Sequence, residues 1–78
     1  MRTLIISIYD SGWEFNAASL LDSDYHLLDD NDINELYDIY DYNWNYENLI
    51  FEWAQNHSYD NVIICEDGNI CFKALLQN

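Results

Sequence analysis

Residues 3–9 and 13–20 are two runs rich in apolar side chains, separated by Tyr9-Asp10-Ser11-Gly12-Trp13. Residues 60–66 and 69–76 repeat the arrangement around Glu66-Asp67-Gly68-Asn69. A glycine between two such runs marks a hairpin turn that needs a residue at positive φ, so two hairpins are expected. Between them the period lengthens: Ile33, Leu36, Tyr37 and Tyr40 fall at i, i+3, i+4 and i+7, one face of a helix. Asp30 or Asn31 suits its N-cap, and Asp32 and Glu35 suit the positive end of its dipole. A second helix fits residues 45–57, with Tyr46, Leu49, Ile50, Trp53 and His57 along one side and residues 41–44 as the connection. The polar stretch 56–61 returns the chain to the second hairpin.

The expected fold class is α+β in the order ββααββ. Its simplest form is a four-stranded antiparallel sheet with two helices packed on one face; the pattern does not order the strands. Leu4, Ile6 and Ile8 share one face of the first strand, while Ile5 and Tyr9 share the other with Thr3 and Ser7. The face left uncovered keeps apolar area, which favours a homodimer.

With 78 residues, the chain has material for one domain, residues 1–78, and one modest core. Half of it is hydrophobic and 17% is aromatic, more apolar content than charge-driven disorder allows, so it is expected to fold. The run Leu4-Ile5-Ile6 is broken by Ser7 and ended by Asp10, short of any targeting or membrane-spanning segment. A cytoplasmic location is expected. In that compartment Cys65 and Cys71 are expected as reduced, partly buried thiols.

Charge changes the picture most. Fifteen Asp and Glu stand against Arg2 and Lys73, for a formal net charge of −13. Two cations cannot neutralise such a set, and a chain that bears the self-repulsion gains solubility or attraction to a basic surface. Direct binding of nucleic acid or of an anionic membrane is disfavoured, because both require clustered Lys and Arg. The acids concentrate between Asp22 and Glu47. Asp32, Glu35, Asp38 and Asp41 recur every third residue along the first helix, preceded by Asp29 and Asp30. A row of anions about 4.5 Å apart along the axis presents a basic groove with charge spaced somewhat like the phosphates of a nucleic-acid strand. Aromatic residues interleave with the acids, and Tyr42 and Trp44 in the connection carry side chains enriched at interface hot spots.

In length, net charge and the carboxylate row 29–41, the chain resembles small acidic DNA-mimic inhibitors of phage or mobile-element origin, of the anti-CRISPR and anti-restriction type. The resemblance implies a non-enzymatic inhibitor that occupies a basic nucleic-acid-binding groove of a host defence or DNA-processing protein. Asp29, Asp30, Asp32, Glu35, Asp38, Asp41, Tyr42, Trp44 and Glu47 are the partner-binding residues in this reading. The chain is also similar to acidic immunity proteins and antitoxins that neutralise a cognate basic toxin or nuclease. A third reading is an interaction module that works through its aromatics.

No cofactor, metal site or catalytic residue is expected. Asp41, Asn43, Asn45, Glu47 and Glu52 match ligand positions of an EF-hand loop, but Tyr46 stands where the turn needs glycine. His26 and His57 have no nucleophile tied to them, and no His pair accompanies the cysteines to build a zinc site.

Overall fold

The computed structural model describes residues 1–75, and the side chains of all of these except Ser11 and residues 71–75. Strand β1 (Arg2–Tyr9) is joined to β2 (Glu14–Leu21) by a 3₁₀ turn at Asp10–Gly12, and a short β3 (Asp24–Leu27) follows. Helices α1 (Asp30–Tyr42) and α2 (Tyr46–Asn56) lead to a second hairpin, β4 (Asn61–Glu66) and β5 (Asn69–Leu75).

The strands form one five-stranded sheet in the order β3-β2-β1-β4-β5. This corrects the expected four-stranded antiparallel sheet in two respects. The order is βββααββ, and the two hairpins meet through a parallel pair, β1 against β4, with Thr3 opposite Asn61 and Ile8 opposite Glu66. The physical reason for the parallel joint lies in the two runs TLIISI and NVIIC, which carry apolar residues on both faces. Such strands belong in the middle of a sheet. The two helices supply the long crossover that a parallel pair requires.

β3 went unread because its turn contains no glycine: Asp22 itself takes φ +56°, and all four β3 residues are exposed. In both expected hairpins the glycine does what the pattern asks. Gly12 sits at φ +99° and Gly68 at φ +86°. At Gly12 a Cβ would also stand 3.0 Å from Tyr40 Cε2, so the turn packs directly on α1.

The core lies between the helices and one sheet face. Leu4, Ile6 and Ile8 of β1, Ala17 of β2, and Val62 and Ile64 of β4 meet Leu36 of α1 and Ile50, Trp53 and Ala54 of α2. Tyr59, buried just before β4, closes one end. Arg2 is anchored there, donating to the His57 carbonyl at 2.8 Å and lying 4.1 Å from the Tyr59 ring centroid. The main-chain N–H of Arg2 donates to Asp60 Oδ2 at 2.8 Å. Cys65 is half-buried, whereas Cys71, and with it the question of whether the two thiols face each other, lies outside the described side chains.

Candidate functional site on the acidic helix

α1 begins one residue earlier than its pattern suggested. Asp29 is the N-cap, and its carboxylate accepts the Asp32 N–H at 2.9 Å. That is the bond by which a capping side chain satisfies an otherwise open helix donor. Asp29 is thus committed to the helix it starts.

Along α1 the acids do not form one line. Residues three apart differ by about 60° around the axis, so Asp32 and Asp41 point about 180° apart. Glu35 lies on the α2 flank, where it accepts from Trp53 Nε1 at 3.3 Å. Asp38 is exposed at the centre of the outer surface, and Asp30 and Asp41 are exposed along the opposite flank. Asp32 and Glu47 are half-buried, in the first turns of α1 and α2 respectively. Asp30, Asp38 and Asp41 therefore present the most open carboxylates of the row. Arg2, the one Lys or Arg whose side chain is described, is held at the Tyr59 end of the molecule.

At the C-terminal end of α1 the chain turns sharply into α2. Asn43 Nδ2 donates to the Ile39 carbonyl at 3.0 Å and closes the last turn. Tyr40 and Tyr46 then meet edge to face with centroids 5.0 Å apart, and the Tyr46 hydroxyl donates to Glu66 Oε1 at 2.6 Å. Burial first, and then this hydrogen bond to a carboxylate, raise the Tyr46 phenol well above its ordinary value. Around this braced pair Asp41, Tyr42, Asn43 and Trp44 line a shallow hollow of about 480 Å³. Tyr42 is 79% exposed and Trp44 93%. The residues with the spacing of a calcium loop are distributed differently: Asp41 lies in the last turn of α1, Glu47 and Glu52 lie on α2, and only residues 43–45 remain between the helices. Among the described residues no three His, Cys, Asp or Glu side chains gather into a metal-binding group.

A second hollow, of about 210 Å³, opens on the other side of α1 between Gly12, Trp13, Phe15, Ile33, Asn34 and Tyr37. Sequence reasoning placed Trp13 at the start of a strand and Tyr37 on the core face. In the fold Trp13 is almost fully exposed and Tyr37 partly so. The available signal was Gly12-Trp13, an aromatic residue at the mouth of a turn. Among the described residues no helix is long and apolar enough to cross a membrane. No family model, no curated protein and no solved structure matches this chain, so the reading of the acidic surface rests on its own residues.

Proposed function

We propose that the chain is a non-enzymatic binding protein. The outer surface of α1 and the α1–α2 corner dock into a basic groove that normally holds nucleic acid, on a defence or DNA-processing protein. The observation that supports this is the separation of charge: Asp30, Asp38 and Asp41 are exposed on α1, while Arg2 is tied up at the far end. Carboxylates that far outnumber the chain's cations attract an external set, and a groove built for phosphates offers one. Tyr42 and Trp44 beside them supply the aromatic anchors on which docked interfaces depend.

A second reading, a neutraliser of one cognate basic toxin, is favoured by the projection of Tyr42 and Trp44 together at one corner, since a pair of protruding rings suits a defined pocket better than a uniform groove.

Charge reversal tests the docking. Asp38→Lys with Asp41→Lys alters the outer surface of α1, and Glu14→Lys with Asp24→Lys makes the same change in net charge at exposed strand positions. Asp60, Glu66 and Asp67 are unsuitable controls because each accepts a hydrogen bond within the fold. The α1 pair is expected to speed dissociation from the basic partner at least about tenfold, while the strand pair slows association only. Equal losses for both pairs would reduce the acidic surface to a diffuse field. Displacement of DNA or RNA from the partner in proportion to occupancy supports the groove reading, and neutralisation of one toxin without such displacement supports the other.

A further inference from the structure

The sheet face turned away from the helices is largely apolar: by register its polar positions are Thr3, Ser7, Asn16 and Asn61, and its charged ones Glu14 and, opposite Ile63, Lys73. Cross-strand partners share a face, so the pairs Ile5–Ala18, Ile5–Ile63, Ala18–Leu27, Leu20–Tyr25 and Cys65–Ile70 place these residues together on it. Leu27 is 64% exposed, Ile70 66% and Tyr25 57%, although strands that alternate between core and solvent ordinarily carry polar side chains on the outer face. Of the 15 acids in the chain, only Glu14 occupies a strand position there, at the rim opposite Tyr9. The other acids belong to the turns, to the helices and their approaches, or to the helix side of the sheet.

We propose that this face is the interface of a symmetric dimer, two copies packed sheet to sheet with their helices outward. The distribution of charge selects a second copy as the occupant and this orientation as the way it approaches. Two chains of net charge −13 repel in most orientations. With the sheets about 10 Å apart and the helices outside them, the two α1 surfaces stand on the order of 30 Å apart. That exceeds three Debye lengths of about 8 Å at 0.15 M ionic strength, so the repulsion is largely screened. A basic partner gains little from a face whose one acid stands at the rim, whereas a second copy brings a face on which the Glu14 and Lys73 positions cancel. The size is of the right order as well. Five strands about 4.8 Å apart and about six residues long make a face of roughly 24 by 20 Å in projection, in keeping with overall dimensions of 29 × 25 × 22 Å. That face is about 480 Å² in projection, which side-chain relief enlarges part of the way to the roughly 800 Å² per partner of a standard interface.

Sedimentation of the full chain at micromolar concentration and 0.15 M salt reads the mass directly, with twice 9.3 kDa expected. Two single variants then locate the contact. Asn16→Lys places a charge on the face from an interior strand and Leu27→Lys from the edge strand; both positions are exposed, so the fold tolerates them, as a thermal melt verifies. Each is expected to weaken the dimer at least tenfold, while Trp44→Lys at the helical corner leaves it intact. A dimer broken by Leu27→Lys and untouched by Asn16→Lys would be an edge-to-edge pairing of strands and would overturn the proposal. So would a monomer at every concentration, including one whose face instead takes up neutral lipid vesicles.

Discussion

Tyr46 and Glu66 form the hydrogen bond that ties the α1–α2 corner to the end of β4, and it is the contact with the clearest dependence on pH. The Tyr46 phenol is raised by burial and then by its bond to Glu66. Tyr40 is raised in the same direction, by burial and then by the charge of Glu66. A group whose folded value exceeds its unfolded value of about 10 contributes stability that is complete at neutral pH and is lost as pH rises beyond about 10. Tyr46→Phe is therefore expected to cost about 1 kcal/mol at pH 7 and to decline less steeply than the parent above pH 10. Urea midpoints for both proteins at pH 7 and in the alkaline range check this; parallel declines would assign the loss to other groups. Asp29 teaches a different lesson at this scale. The sequence pattern offered Asp30 or Asn31 as the cap, and it missed Asp29, which has the same capping chemistry one residue earlier. The structure selects Asp29 and so removes one carboxylate from the free row. In the same way Glu35 could be read as an acid, but its bond to Trp53 depends on how α2 packs.

Among the elements, the hairpins and both helices were legible because each carries a local signal: a glycine at positive φ, or a run of apolar residues at helical spacing. The elements that were not legible depend on partners distant in the chain. β3 is four exposed residues whose strand character comes from pairing with β2, as Leu20 with Tyr25 and Ala18 with Leu27. The pairing of β1 with β4 joins residues 58 positions apart, such as Thr3 and Asn61, beyond the reach of any local pattern. Its one trace is that both runs are apolar on both faces. This ranking of the strands has a measurable counterpart. Backbone amides of β1 and β4, central and flanked on both sides, are expected to exchange with solvent most slowly, and those of β3 fastest among the strands. Hydrogen exchange resolved by residue makes the comparison; β3 protection equal to that of β1 would mean that the edge is covered in solution by something other than β2.

For the whole molecule, the net charge of −13 sets how stability responds to salt. With acids crowded on the helical layer and Arg2 committed elsewhere, the folded state concentrates repulsion that the unfolded chain spreads out. Added salt screens that repulsion. The urea midpoint at pH 7 is expected to rise between 10 mM and 0.5 M sodium chloride, and a fall over that range would show that attractive pairs outweigh repulsive ones. The central place of β1 has a further consequence, in the order of folding events. A chain emerging from its N-terminus can zip β1 to β2 and β2 to β3 at once. The other hydrogen-bonding edge of β1 stays open until residues 61–66 arrive, and the Arg2 N–H waits as long for Asp60. Closing a loop of nearly sixty residues makes the late step slow relative to hairpin formation. Until it is complete, Leu4, Ile6 and Ile8 lack their β4 neighbours, and the half-made sheet offers a sticky edge to other chains. The acids of α1, translated before β4, give that intermediate a charged coat during the interval when it is most exposed to aggregation.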